Sequence, residues 1–184
     1  AEALLQRRRA KSAIVLPGAA AAGAAVGRDA RASSKALDLE NHASAYLTWI
    51  ANKISSSASK IYRNRYGVGI ADWRIMALLA VEPWIPATRI SEVIGFDKTV
   101  ISRSVAFLQE RGLVETRFHD NNFRRQFIAL TRKGLGLHDE IVDMARDREE
   151  FLLADLTAQE RRALMRLLAK IHTRASLLAK AGET

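Results

Sequence analysis

Apolar residues return at three- and four-residue steps from Leu39 onward: Leu39, Ala43, Tyr46, Leu47, Ile50, Ile54 and Ile61. That is the period of one helical face. The run stops at Tyr66-Gly67, where glycine can take the left-handed conformation that closes a helix. Ile70 to Val81 predicts a second helix, with Trp73, Met76, Ala77, Leu79 and Ala80 on its apolar side, ended by Pro83 and Pro86. Trp84, between the prolines, reads as a packing plug rather than a ligand platform. A short third helix over 87–94 buries Ile90, Val93 and Ile94. Gly95-Phe96 then makes a tight turn, and the Asp97 carboxylate can cap the next helix. That helix, over 98–111, turns Ile101, Val105 and Leu108 inward at i, i+4 and i+7 and ends at Gly112.

At Val114 the period shortens to two. Val114, Thr116 and Phe118 alternate with Glu115, Arg117 and His119, the pattern of a half-buried strand. Asp120-Asn121-Asn122 is turn chemistry, and residues 125–130 return as the partner strand. Thr131 opens a long helix to about residue 154, striped by Leu135, His138, Ile141, Val142, Ala145 and Leu152. Thr157-Ala158-Gln159-Glu160 is a capping box for a last helix with Leu164, Leu167, Leu168, Ile171 and Leu178 on one face. The pattern predicts a mainly α fold with a small β-hairpin, an α+β arrangement of winged helix-turn-helix type between long terminal helices. No internal repeat is visible.

Charge sharpens this picture. A net charge of +9 over 184 residues favours a polyanionic partner, nucleic acid or an acidic membrane face. No run is long and apolar enough to predict a membrane span. The chain has no cysteine, which excludes disulfides, thiolate metal sites and thiol nucleophiles and fits a reducing cytoplasm. His42, His119, His138 and His172 stand far apart, so no metal site is expected, and nothing calls for a cofactor. Residues 1–38 differ from the rest. Arg7-Arg8-Arg9-Ala10-Lys11 precedes an Ala/Gly-rich stretch broken by Pro17-Gly18, which reads as a flexible basic arm rather than a secretory signal.

A DNA-reading helix needs one face in the core and another carrying short polar or forked cationic groups into the major groove. The helix from Lys98 has both. Arg103 suits a guanine edge or a phosphate, Ser102 and Thr99 a base or a phosphate, and Lys98 a phosphate. The hairpin tip offers Asn122, Arg124 and Arg125. Arg124 suits a narrow minor groove, while Arg125 either joins it or packs back to brace the hairpin.

In this order the segments Asp72-Trp73-Arg74-Ile75-Met76-Ala77-Leu78-Leu79, Arg89-Ile90-Ser91-Glu92-Val93-Ile94, Asp97-Lys98-Thr99-Val100-Ile101-Ser102-Arg103, Leu108-Gln109-Glu110-Arg111-Gly112-Leu113-Val114 and Leu130-Thr131-Arg132-Lys133-Gly134 resemble the MarR family of bacterial transcription regulators, over about residues 39–182. The resemblance implies a winged helix-turn-helix over about 70–133. It also implies dimerisation helices over about 39–66 and 134–182, which interlock so that two heads each read a half-site. It implies gating by a small molecule, often an aromatic acid. Thr99, Ser102 and Arg103 fall at the family's DNA-reading positions, and Arg125 at its bracing arginine. Asn122 stands where the family's tip arginine is expected, and Phe123 replaces an acid that would hold Arg125.

A homodimer is expected on independent grounds too, because the apolar stripes of the terminal helices exceed what a small winged helix can cover. His42, Tyr46, Trp49, Trp73, Arg74 and His138 are candidate contacts for a small aromatic or anionic effector. The reading is therefore a ligand-responsive, sequence-specific regulator of double-stranded DNA, expected in the cytoplasm. A sequence-independent architectural DNA-binding protein is the alternative. No Gly-x-Ser-x-Gly elbow, phosphate loop or metal cluster suggests an enzyme.

Overall fold

A computed structural model describes residues 38–119 and 122–181, and their side chains except at 40, 119, 122–125 and 179–181. The predicted basic arm lies outside the described residues, apart from Asp38. The chain forms two compact units that divide between Ile54 and Ser55, inside the first long helix. In the first unit a 3-10 turn, Leu39–Asn41, leads into helix α1 (Ala43–Tyr66). His42 sits at the helix entrance, where its Nδ1 accepts a hydrogen bond from the Ala45 amide at 3.3 Å.

The second unit carries the remaining elements: α2 (Ile70–Val81), β1 (Ile85–Pro86), α3 (Ala87–Ile94), α4 (Lys98–Glu110), β2 (Val114–His119), β3 (Asn122–Leu130), α5 (Arg132–Leu152) and α6 (Ala158–Ala181). Its centre is α2, which is apolar nearly all round and therefore packed on several sides. Ile75, Met76 and Leu79 meet Ile90 of α3, Ile101 and Leu108 of α4, Ile128 of β3 and Ile141 of α5 in one buried cluster. The Asp72 carboxylate accepts a hydrogen bond from the Gly69 amide at 2.7 Å and places a negative charge at the positive end of α2.

The sheet is antiparallel in the order β1-β3-β2, with Ile85 opposite Ile128 and Val114 opposite Leu130. β1 was not legible in the sequence. It is two residues long, bordered by proline, and its partner lies more than forty positions away. β3 starts at Asn122, three residues before the predicted strand, which shortens the turn. Phe118 does not join Val114 in the core. It is 57% exposed, because the pairing slips between Phe118 and His119 beyond the edge of the packed sheet. Trp84 is no core plug either. It lies half-buried at φ 59°, with the Arg117 guanidinium 3.9 Å from its ring centroid.

α5 is stapled to the end of α4. Thr131 caps α5 by accepting from the Gly134 amide at 3.0 Å, donates its hydroxyl to the Gly112 carbonyl at 2.7 Å, and donates its own amide to Leu113 O at 3.0 Å. A Cβ on Gly134 would run into the Leu113 carbonyl, so the close approach requires glycine there. The predicted stripes of the long helices are covered only in part. In α1, Ala58 and Tyr62 are buried while Ile61 is exposed; in α5, Ile141 is buried while Leu135 and Leu152 are exposed. In α6, Leu167, Ile171 and Leu178 are exposed, although His172 Nε2 lies 3.3 Å from the Val93 carbonyl of α3.

Candidate nucleic-acid interface

The interface is built around the turn between α3 and α4. Gly95 closes α3 at φ 78°, a left-handed position that penalises any side chain, and its amide bonds Ser91 O at 2.8 Å. The Ser91 hydroxyl donates to Phe96 O at 2.7 Å and holds the turn from inside. Asp97 then caps α4, accepting from the Thr99 and Val100 amides at 2.7 and 2.9 Å. Ile101, Val105 and Leu108 lock one side of α4 into the core, with Ser104 buried beside them.

The opposite side carries Lys98, Thr99, Ser102, Arg103 and Ala106, all exposed. Among the described residues, neither Lys98 nor Arg103 has an ion-pair partner, so both cations remain open to an anion. A groove of about 380 Å³ runs between α4 and the sheet, lined by Thr88, Lys98, Ser102, Gln109 and Gln126. Thr88, Gln109 and Gln126 were missed in the sequence. Gln109 continues the Ser102–Ala106 row by one turn and was within reach of a periodicity argument. Thr88 of α3 and Gln126 of β3 enter only because the fold brings those elements beside α4.

Arg89 is a contrasting cation. Its guanidinium grips Glu82 through two hydrogen bonds of 2.9 Å, and Glu92 lies 3.9 Å away. The side-chain hydrogen bonds hold the Glu82 carboxyl below its usual range and raise the guanidinium of Arg89. Asn122, Arg124 and Arg125 lie outside the described side chains; their backbone belongs to β3.

The residues considered for an effector fall into two groups. In the first unit, Tyr46 and Trp49 meet edge to face at 5.4 Å, and His42 holds the helix entrance. In the second, Trp73 is buried and stacks on His138 at 5.4 Å, and the Tyr62 ring lies 5.9 Å from it. Arg74 donates to the Ser55 hydroxyl at 2.8 Å and lies over the Phe96 ring, with no acidic partner among the described residues. Trp73 thus belongs to the core, and half-buried His138 stacks against it.

No family model and no curated protein matches the sequence. Solved structures do. A MarR/EmrR family transcriptional regulator from Acinetobacter sp. ADP1 is 30% identical, with 77% of this chain and 99% of that one covered and a TM-score of 0.71. A MarR family transcriptional regulator from Silicibacter pomeroyi is 24% identical over 72% of this chain and 89% of its own, with a TM-score of 0.66. The PcaV transcriptional regulator from Streptomyces coelicolor, solved in complex with its natural ligand, is 22% identical over 76% and 98%, with a TM-score of 0.62. The last two likenesses are of fold.

Proposed function

This chain belongs to the MarR family of transcriptional regulators, and from that premise we propose that it binds a pseudo-palindromic operator as a homodimer and is released by a small aromatic or anionic effector. Membership makes it a DNA-binding transcription regulator and not an enzyme. The observation that carries the operator reading is the outer face of α4, where Lys98, Thr99, Ser102 and Arg103 are exposed and the two cations have no ion pair among the described residues, while the inner face is fixed in the core. A helix anchored in this way meets the groove with its backbone already oriented, so that only its side chains are ordered on binding. Arg103 takes a guanine or a phosphate, Ser102 and Thr99 a base or a phosphate, and Lys98 a phosphate. Asn122, Arg124 and Arg125 supply the wing's contacts to the adjacent backbone and minor groove.

The exposed apolar side chains of α6, Leu178 at 75% among them, support the homodimer. An effector is supported by Arg74, a half-buried guanidinium whose partners among the described residues are neutral, beside the aromatic Trp73. His42, Tyr46, Trp49 and His138 complete the candidate set. That a relative of the same fold was solved with its natural ligand favours this reading.

Binding of the full chain to its promoter-proximal duplex and to a scrambled duplex, over a salt series, tests the operator reading. The expected result is a preference of about a thousandfold that persists near physiological salt. Equal affinities that fall together as salt rises would replace it with sequence-independent, architectural binding.

A further inference from the structure

Helices α5 and α6 carry opposite charge on surfaces that the described residues leave open. On α5, Asp139, Asp143 and Asp147 follow at four-residue steps, all exposed, with Glu140 and Glu150 beside them. On α6, Arg162, Arg166, Lys170 and Arg174 do the same, all exposed, and Glu160 is the only acid in that helix. Four residues advance a helix by about 6 Å. The two rows therefore share one spacing, and cations on one helix can meet carboxylates on another charge for charge.

Among the described residues, neither row meets opposite charge on another element. Among the described residues none of the four α6 cations has an ion pair. Arg161, one position outside the row, reaches Glu150 at 2.7 Å. Asp143 contacts only Arg146 of its own helix, at 3.4 Å, and Asp139 contacts its neighbour His138. Asp147 has no ion-pair partner among the described residues. The basic row also borders the apolar residues that α6 leaves exposed, Leu167, Ile171 and Leu178. Charged positions beside an apolar seam set partner choice and orientation when helices pair.

We propose that a second copy of this chain occupies these rows. The basic row of each α6 lies along the acidic row of the partner's α5, and the match fixes the register of the dimer. The inference rests on the homodimer reading above and adds which surfaces meet. A two-fold axis makes the contact twice, because each copy offers both rows. DNA is the poorer occupant of α6, since the acidic row on the adjoining helix repels a duplex and would have no role there.

Charge reversal in the full chain tests this. One variant carries Arg162→Glu, Arg166→Glu and Lys170→Glu; the other carries Asp139→Lys, Asp143→Lys and Asp147→Lys. Sedimentation equilibrium at roughly 0.1 M salt, where surface charges still act over about 10 Å, measures self-association. Each variant alone should self-associate at least about tenfold more weakly than the unmodified chain. An equimolar mixture should recover that loss as a heterodimer, because both cross-contacts then join opposite charges. Either variant dimerising at full strength, or a mixture that fails to pair, overturns the proposal while leaving the dimer standing. Loss of affinity for a scrambled duplex with self-association intact would also overturn it, by assigning the α6 row to phosphates. An unmodified chain that stays monomeric throughout would sink the dimer reading itself.

Discussion

Arg103 can do two different things on a duplex, and the difference is measurable. Its side chain stands free on the outer face of α4, with no acid among the described residues to hold it back. Arg89, by contrast, is already held by Glu82 on a bidentate pair. Free and clamped arginines look alike in a sequence, because the clamp joins Arg89 of α3 to Glu82 just past the end of α2. Arg103→Ala should reduce discrimination between operator and scrambled DNA by about 1–3 kcal/mol if the guanidinium grips a guanine. Equal losses on the two duplexes, in the same titrations, would make it a phosphate contact. The exposure of Lys98, Thr99 and Ser102 was legible in the sequence, since one helical period separates them from Ile101, Val105 and Leu108. The half-buried state of Arg74, which meets Ser55 and Phe96, and the stacking of Trp73 on His138 were not, because they depend on residues brought together from other elements, about twenty positions away for Arg74 and more than sixty for Trp73.

Elements were read more securely than their junctions. Both ends of α2 and of α3, and the start of α4, fall where the sequence put them. Glycine, proline and the Asp97 cap act locally on the backbone there. The Thr157–Glu160 capping box forms with bonds of 2.7 and 3.3 Å, and its hydrogen bonds hold the Glu160 carboxyl below the usual range. The junction of α4, β3 and α5 is different in kind. Gly134 there looks like an ordinary glycine at a helix start, yet the Leu113 carbonyl occupies the space a Cβ would need. Gly134→Ala should therefore destabilise the fold by about 1–3 kcal/mol, the usual range for overpacking a close contact. Urea unfolding of the two proteins checks this, and an unchanged midpoint would show that the junction gives way freely.

For the whole molecule, the operator reading depends on two reading heads held at one separation. In a dimer of this type half-site centres lie about 10 base pairs apart, one turn of the duplex. Inserting about 5 base pairs between half-sites places the second on the opposite face of the DNA. Affinity should then fall to that of a single half-site in a direct titration. An affinity that survives the insertion would mean that the heads bind independently and that the dimer does not set the spacing.

The sequence by itself determined the periodic elements, the caps and turns, and the polar face of α4. Each of these follows from backbone preferences and side-chain spacing within a few residues. Tertiary structure decided what those elements meet. It supplied the third strand, the clamp on Arg89, the close approach at Gly134, the outward turn of Phe118, and the apolar and charged rows of α5 and α6 that the described residues leave uncovered. Burial and pairing are properties of surfaces in contact, and a pattern along one helix cannot say which surface covers it.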